Sequence, residues 1–143
     1  MPARLLGTPL VDEVEFLTAR ARALGSARTN ARLKPLGLRV RSYAVHSMAC
    51  SGVQPSQREL ADFLLLDPSQ IVALLDGLER QGLVERTTDP ADRRSKVIVG
   101  TERGQELLAE AARAAQEAED EALANLDIAE RRHLRELLRR AAF

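Results

Sequence analysis

Two signals for the start of an α-helix lie eleven residues apart in the middle of the chain, and this spacing limits the length of the first helix and of the turn that follows it. Ser56 is followed by Glu59, and Asp67 is followed by Gln70, so each pair can form a capping box of reciprocal hydrogen bonds. Pro68 occupies the first helical position after Asp67, where its missing N–H is not needed. The first helix must therefore be short, and only a tight turn fits between it and the second helix.

Apolar residues recur around these signals at the offsets that a helix-turn-helix pair requires. Ala61 is the small residue where the two helices touch. Around it lie Leu60, Leu64, Leu66, Ile71 and Leu74. Leu65 occupies the turn position that is often Gly, so we expect this turn to avoid a positive φ. We interpret the pair as a helix-turn-helix, whose second helix enters the major groove of DNA.

A charged turn between two β-prone segments follows the second helix. The strands are predicted at residues 83–88 and 96–101, and the turn at residues 89–95. Arg93, Arg94 and Lys96 cluster at the tip, where an arginine can enter a narrow minor groove. We expect Asp92 to orient one of these arginines through a charge-assisted hydrogen bond. The alternative is a solvated turn that carries ordinary surface charges.

The candidate DNA-contacting residues lie at the starts of the two helices, on the outer face of the second helix and on the hairpin. They are Ser56, Pro68, Ser69, Gln70, Val72, Ala73, Arg86, Asp92, Arg93, Arg94 and Lys96. Gln70 can pair with adenine in the major groove, and Val72 or Ala73 can contact a thymine methyl group. The alternative is that Gln70 serves only as the capping partner of Asp67 and contacts no base.

The charges of the chain cancel overall but are unevenly distributed. The formal net charge is zero, which argues against a protein that coats nucleic acid without specificity. Residues 1–52 carry 8 Lys and Arg against 3 Asp and Glu, residues 53–101 carry 6 against 8, and residues 102–143 carry 7 against 10. The basic first third and the acidic last third can attract each other in a dimer, and DNA affinity must depend on where a few cations lie.

The predicted terminal helices carry apolar stripes that need a surface to cover them. The first stripe consists of Leu10, Val14, Leu17, Ala21 and Leu24, with heptad-like spacing. This helix is expected to stop by Lys34, because Pro35 restricts the residue before it. A last helix, capped by Asp127 and Glu130, is rich in Leu. We predict one domain over residues 1–143, with dimerisation helices at 1–34 and 102–143; the alternative is that the stripes pack within one chain.

The remaining elements complete an all-helical frame around the hairpin. A second helix is predicted from Leu38 or Arg39 to Cys50, with Gly52 as its C-cap glycine. Thr101 can cap a long helix that continues to about Ala124. Residues 35–101 then form a winged helix-turn-helix. The predicted fold class is mainly α with a small β-hairpin wing.

The order of these motifs resembles the MarR family (multiple antibiotic resistance regulators), which are bacterial winged-helix repressors and activators. The resembling segments are residues 36–38, the Q-x-E-L-A segment at 57–61, the L-E-x-x-G-L-V segment at 78–84, the D-x-x-D-x-R wing at 89–94 and the T-x-x-G segment at 101–104. Two positions depart from the family. Gly100 stands where the family usually has an apolar residue, and the recognition helix has Ala73 in place of an Arg.

The resemblance implies an obligate homodimer with interleaved terminal helices and two wings that straddle a palindromic double-stranded DNA operator. It also implies a signal, either a small molecule or an oxidant, that changes the spacing of the two recognition helices. In the family, a cleft between the dimerisation helices and the reading domain often holds the effector. We therefore expect a pocket for a small anionic or aromatic effector, lined by Phe16, Arg20, Tyr43, His46 and Cys50.

The effector pocket has a plainer alternative. Tyr43, His46 and Cys50 share one face of the second helix, and half-buried packing residues would show the same spacing. We interpret Cys50 as a small apolar packing residue rather than an oxidation sensor, because only His46 offers a nearby cation.

Other function classes lack their signatures in this sequence. Two His and one Cys are too few for a zinc site, and neither a Gly-rich phosphate loop nor a catalytic dyad is present, so we predict no enzyme, metal or cofactor. We expect a cytoplasmic protein without a membrane span or signal peptide. The predicted function is a sequence-specific DNA-binding transcriptional regulator, a repressor released by a small molecule. The alternative is a winged-helix module that binds a protein partner.

Overall fold

Six α-helices and one two-stranded antiparallel hairpin make up the protein, which a computed structural model describes over residues 1–143. The elements are α1 (Val14–Leu33), α2 (Val40–Ala49), α3 (Gln57–Leu64), α4 (Pro68–Arg80), β1 (Val84–Thr88), β2 (Lys96–Gly100), α5 (Glu102–Ala122) and α6 (Ile128–Ala142). Short 3-10 turns lie at Ala3–Gly7, Pro9–Asp12 and Lys34–Leu36. The predicted fold class, mainly α with a hairpin wing, is confirmed.

The helix starts follow the local capping signals. Ser56 Oγ accepts a hydrogen bond from the Glu59 N–H at 3.2 Å, and the Glu59 carboxylate accepts from the Ser56 N–H at 2.8 Å. Thr101 Oγ1 accepts from the Gly104 N–H at 3.0 Å at the start of α5. A second reciprocal box, between Asp127 and Glu130, opens α6 with two 2.8 Å bonds. These contacts satisfy N–H groups that a helix start leaves without partners.

Element ends differ from the prediction by a few residues. The first helix begins at Val14 rather than near Leu10, because Pro9–Asp12 form a separate 3-10 turn. The strands pair from Val84 opposite Gly100 to Thr88 opposite Lys96, so each is one residue shorter than predicted. The prediction that the first helix stops by Lys34 is confirmed.

The turn between α3 and α4 contradicts our expectation about Leu65. Its backbone lies in the left-handed region, with φ 52° and ψ 46°. This conformation lets the N–H groups of Leu65 and Leu66 both reach the Ala61 carbonyl, which ends α3 and reverses the chain. A left-handed non-glycine residue costs about 1–2 kcal/mol. Chain reversal therefore outweighs the local preference of leucine at this position.

The buried core belongs to the middle of the chain. Every buried residue lies between Leu33 and Ala118. Its largest members are Leu33, Leu38, Leu60, Ile71, Leu75, Leu78, Leu83 and Ile98. These side chains come from α1 through β2, so α2, α3, α4 and the hairpin share one core that includes the last turn of α1.

Two glycines allow close approaches around the base of the wing. A Cβ on Gly104 would lie 2.0 Å from the Leu83 carbonyl oxygen, so the start of α5 touches the backbone before β1. A Cβ on Gly100 would lie 2.3 Å from Cys50 Sγ. The departure of Gly100 from the family pattern thus has a physical reason, because the Cys50 side chain fills the space that an apolar residue would need.

Candidate nucleic-acid interface

Helix α4 separates a buried face from an exposed face that is free of cations over its first two turns. Ile71 and Leu75 are fully buried against α2 and α3. On the opposite side, Ser69, Val72 and Ala73 are exposed. We call these three residues, together with Asp76, the reading face; their spacing of i, i+3, i+4 and i+7 places them on one side of the helix.

Gln70 is held by the cap of its own helix. Its Oε1 atom accepts a hydrogen bond from the Asp67 N–H at 3.0 Å. A bidentate contact with adenine needs the amide oxygen as well as the amide N–H groups. In this conformation the cap engages one of the two lone pairs of the Gln70 amide oxygen.

The wing turn is organised by two aspartates. Asp89 Oδ1 accepts from the Ala91 N–H at 2.8 Å, and Asp92 Oδ1 accepts from the Arg94 N–H at 3.0 Å. Asp92 Oδ2 also accepts from the Ser95 hydroxyl at 3.1 Å. The expectation that Asp92 orients an arginine side chain is therefore wrong, since its carboxylate bonds the backbone and a serine in a turn of the Asx type.

The cations that this turn presents are free of acidic partners. Arg93, Arg94 and Lys96 are exposed, and none of them forms an ion pair. Lys96 Nζ makes one long contact with Thr88 Oγ1 at 3.4 Å. The tip of the wing therefore offers three positive side chains to an anionic surface.

Arg86, which we predicted to contact DNA, bonds three side chains of the helix pair at the partly exposed base of the wing. Its guanidinium donates to Gln57 Oε1 at 2.8 Å, to Asp76 Oδ1 at 2.8 Å and to the Glu79 carboxylate. Its side chain is 22 % exposed. All three partners are on α3 and α4, so Arg86 ties the first wing strand to the helix pair, and its role as a DNA contact stays a prediction.

The predicted contacts at the helix starts differ in availability. Pro68 is exposed at the first turn of α4, beside Ser69. Ser56 is half-buried, and its hydroxyl and N–H both bond Glu59. These hydrogen bonds lower the pKa of Glu59. A carboxylate thus occupies the start of α3, where a phosphate would otherwise bind.

Comparison with known proteins identifies the family. A sequence model of the MarR family matches residues 48–95. CouR from Rhodococcus jostii RHA1, solved with p-coumaroyl-CoA, is 39% identical, with 96% of both chains covered and a TM-score of 0.85. A MarR-family transcriptional regulator from Rhodococcus sp. RHA1 is 38% identical, with 96% of this chain and 99% of that chain covered and a TM-score of 0.88. The protein belongs to the MarR family of transcriptional regulators.

A more distant MarR-family relative has been solved with DNA. Rv2887 from Mycobacterium tuberculosis is 25% identical in that complex, with 90% of this chain and 97% of that chain covered and a TM-score of 0.74. The same relative has also been solved with salicylic acid. A relative that shares this fold has thus been observed both with DNA and with a small aromatic acid.

None of the five residues predicted for an effector pocket lines the cavity beside α4 that is described below. His46 is fully buried, and its Nε2 atom lies 2.8 Å from the Gly104 carbonyl oxygen. Phe16 and Tyr43 are half-buried, and Arg20 is exposed beside Met1. Cys50 packs on Gly100.

Burial controls the acid–base behaviour of these residues. Removal from water lowers the pKa of His46, against a smaller opposing effect of the Gly104 carbonyl. His46 Nδ1 is buried without a hydrogen-bond partner. Burial raises the pKa of the Cys50 thiol and of the Tyr43 hydroxyl. A thiol with a raised pKa is a poor oxidation sensor, which agrees with a packing role for Cys50.

A cavity of about 570 Å³ lies between α1, the start of α2 and helix α4. Its positive side chains are Arg22, Arg39 and Arg41, and Leu74 of α4 forms part of its wall. The rest of its lining is Ala19, Ala23, Ser26, Asn30, Val40 and Ser42. The sequence analysis missed these arginines, although Arg39 and Arg41 flank the predicted start of α2.

The two ends of the chain leave an apolar surface open to solvent. On the N-terminal side the exposed apolar residues are Leu5, Leu6, Leu10, Val14, Leu17 and Leu24, and on α6 they are Ile128, Leu137 and Leu138. Phe143 stacks on Phe63 of α3 with 5.7 Å between ring centroids. Part of the expected attraction between the basic and acidic thirds is satisfied within one chain, because Arg32 of α1 pairs with Glu117 and Glu121 of α5.

Two further features bound the chemistry of the chain. None of its helices combines the length and the apolar character that crossing a membrane requires. No group of three or more His, Cys, Asp or Glu residues is placed to hold a metal ion.

Proposed function

We propose that the protein is a homodimeric repressor that binds a palindromic DNA operator and is released from it by an anionic aromatic effector. The observation that carries this proposal is the pairing of two unsatisfied surfaces on one chain. The ends expose an apolar face, and the wing exposes cations without acidic partners. A second copy covers the first surface, and DNA phosphates neutralise the second.

The apolar face supports a dimer formed by residues 1–34 and 102–143. Leucine side chains such as Leu10, Leu17 and Leu24 are each about half exposed in the single chain. Contiguous exposed apolar patches of this kind mark interaction sites. Two-fold pairing of these ends gives two identical winged helices, formed by residues 35–101, and such a pair fits an operator with two matching half-sites.

The DNA contacts that we now propose are Ser69, Val72 and Ala73 on the reading face, Pro68 and the Gln70 amide at the start of α4, and Arg93, Arg94 and Lys96 on the wing. Ser56 is left out of this set, since its hydroxyl and its N–H both bond Glu59. Asp92 acts by shaping the turn that presents Arg93 and Arg94. An arginine at such a tip can enter a narrow minor groove.

The effector that we propose is a thioester of coenzyme A with an aromatic acid. CouR, at 39% identity, has been solved with p-coumaroyl-CoA, and Rv2887 has been solved with salicylic acid. The cavity beside α4 collects Arg22, Arg39 and Arg41. Guanidinium groups bind phosphate with high geometric specificity, so this cavity suits the phosphates of the coenzyme. Its contact with Leu74 brings the occupant against the recognition helix.

Selection of bound duplexes from a random pool tests the DNA half of the proposal. We expect a palindrome whose half-site centres lie one helical turn, about 34–36 Å, apart. Binding should weaken steeply with salt, because phosphate contacts release counterions. Arg94→Ala should reduce operator affinity by about 1–3 kcal/mol. Absence of any enriched duplex would instead favour the protein-binding alternative that the zero net charge allows.

Effector release is tested on the selected operator with three compounds. p-Coumaroyl-CoA should dissociate the complex, whereas p-coumaric acid and free coenzyme A should act only at much higher concentrations, because each supplies only part of the contacts. Arg22→Gln should raise the p-coumaroyl-CoA concentration needed for release. Arg113→Gln, on α5 outside the cavity, is the matched control. Equal potency of the acid and its thioester would contradict a site for the coenzyme.

A further inference from the structure

The reading face of α4 presents very little that can form strong hydrogen bonds with bases. Its members over the first two turns are a hydroxyl, two apolar side chains and Asp76. The first cation on this side of the helix is Arg80, eleven residues after Ser69 and therefore about 16 Å further along the axis. The first turns of a recognition helix are the ones that reach base edges. Arg80 is thus placed away from them.

The two remaining polar groups near this face are already engaged. The carboxylate of Asp76 accepts a hydrogen bond from Arg86 at 2.8 Å. The amide oxygen of Gln70 accepts from the Asp67 N–H. The start of α4 therefore lacks the bidentate arginine that contacts guanine, and a bidentate contact of Gln70 with adenine would have to share the amide oxygen with the Asp67 N–H.

The apolar members of the face have one matching feature in the major groove. Val72 is 39% exposed although it is apolar, and Ala73 is exposed next to it. Among the four bases only thymine carries a methyl group on its major-groove edge. Contact of these side chains with such a methyl removes apolar surface from water on both partners.

We propose that α4 recognises its operator chiefly through contacts of Val72 and Ala73 with the 5-methyl groups of thymines in each half-site. This inference rests on the proposed function, since it assumes an operator, and it adds which base feature is recognised. Phosphate affinity is then supplied separately by the wing, whose cations do not discriminate between bases in the major groove.

The test replaces single thymines of the selected operator with 2′-deoxyuridine, which removes one methyl group and leaves base pairing intact. We expect one or two half-site positions to lose affinity by about fourfold each, the effect of one buried methyl group. Replacement in both half-sites should give roughly a sixteenfold loss. Thymines outside the half-sites should show no loss.

Two protein variants assign the methyl contact. Val72→Ser should bind the thymine and deoxyuridine operators equally at the position that Val72 contacts. Val53→Ser is the control, because Val53 is also an exposed valine, at 72% against 39% for Val72, but lies in the loop before α3. It should retain the full discrimination of the unmodified protein.

Three outcomes would overturn the inference. If every deoxyuridine operator binds within twofold of the original, the methyl groups are not read, while the proposed DNA-binding function stands. If 7-deazaguanine substitutions cause larger losses than deoxyuridine, hydrogen bonds to guanine dominate recognition. If no duplex is enriched in the selection, the proposed function and this inference are both wrong.

Discussion

The winged helix and the two ends of the chain differ in where their apolar side chains are placed. The winged helix buries them: Ile71, Leu75 and Ile98 have no exposed surface. The ends do the reverse, and Val14 and Ile128 are more than 70% exposed. One region thus completes a core, to which Leu33 of α1 and Ala111 of α5 contribute, whereas the other carries apolar surface that is left open in the single chain. The core and the proposed dimer interface therefore use different apolar side chains.

The largest effect should come from charging the ends. Leu17→Glu combined with Leu24→Glu places four carboxylates in the proposed dimer interface, where four leucines are lost. At about 1.5 kcal/mol for each leucine, the dimer dissociation constant should rise roughly 20,000-fold. Sedimentation equilibrium measures this change, and operator binding should disappear with the dimer.

The control for this pair is Val53→Glu, a charge at an exposed valine outside the interface. Circular dichroism should show that the paired variant keeps its helical content. If that variant remains a dimer with unchanged affinity, the apolar face has another occupant, and the comparison between the two regions fails.

The next largest effect should be within the winged helix, at Gly100. Gly100→Ala places a methyl group on Cys50 Sγ, and overpacking of this kind costs about 1–3 kcal/mol. Adding Cys50→Ala should restore part of the lost stability, because it removes Sγ at 2.3 Å but leaves the Cα and Cβ atoms of residue 50 at 3.1 and 3.2 Å. Thermal unfolding of the two single variants and the double variant measures the coupling.

Gly25→Ala provides the comparison for a glycine without neighbours. Nothing lies within 4 Å of a Cβ at that helical position, so the substitution should be neutral or slightly stabilising. Additive effects of Gly100→Ala and Cys50→Ala would show that the two side chains do not share this space.

A smaller effect should distinguish two arginines of the wing. Arg86→Ala removes the guanidinium that Asp76, Glu79 and Gln57 share, and stability should fall by about 1–2 kcal/mol, since the acidic partners are partly exposed. The salt dependence of DNA binding should keep its slope, because Arg86 contacts no phosphate in this conformation.

Arg94→Ala should give the opposite result. Its side chain has no acidic partner, so stability should not change, while the slope of log K against log salt should become shallower by about 0.9 if one phosphate contact is lost. Urea denaturation of the Arg86→Ala and Arg94→Ala variants measures the change in stability, and salt titration of their DNA binding measures the change in slope. A reduced slope in Arg86→Ala would return Arg86 to the DNA contacts.

The smallest effect concerns pH. Burial lowers the pKa of His46 in the folded chain below its unfolded value of about 6.5, so the unfolded chain binds the proton more readily. The stability contributed by neutral His46 is present above pH 6.5 and is lost as the pH falls, by at most about 1.4 kcal/mol per pH unit.

Unfolding free energies between pH 7.5 and 5.5 measure the contribution of His46. His46→Leu should show a shallower loss towards low pH than the unmodified chain. His133→Gln, at an exposed position on α6, is the matched control for removing a histidine. An identical pH dependence in His46→Leu would mean that the buried imidazole does not govern this loss.

Local chemistry made the helix starts predictable, and tertiary contacts decided the rest. Ser56, Thr101 and Asp127 each cap a helix through partners three residues away, so the sequence alone contains both halves of the interaction. Leu65 was mispredicted because its left-handed backbone serves the packing of α3 on α4, and a propensity argument considers only the residue itself.

The site was less predictable because its decisive contacts join distant segments. Arg86 has the residue type of a DNA contact, and only the folded chain brings Gln57, 29 residues away, to its guanidinium. Likewise, Gly100 was recognisable as unusual, but the reason lies on α2 at Cys50. The cavity arginines are spread over α1 and α2, and their spacing along the chain gives no sign that they converge.

The start of α5 packs closely against the backbone before β1 and against α2. Gly104 touches the Leu83 backbone, its carbonyl bonds His46, and Thr101 donates to the Gly82 carbonyl at 2.6 Å. In a dimer of the proposed kind, we expect a rotation of α5 to move the attached winged helix with it, so that the separation of the two α4 helices follows the orientation of α5.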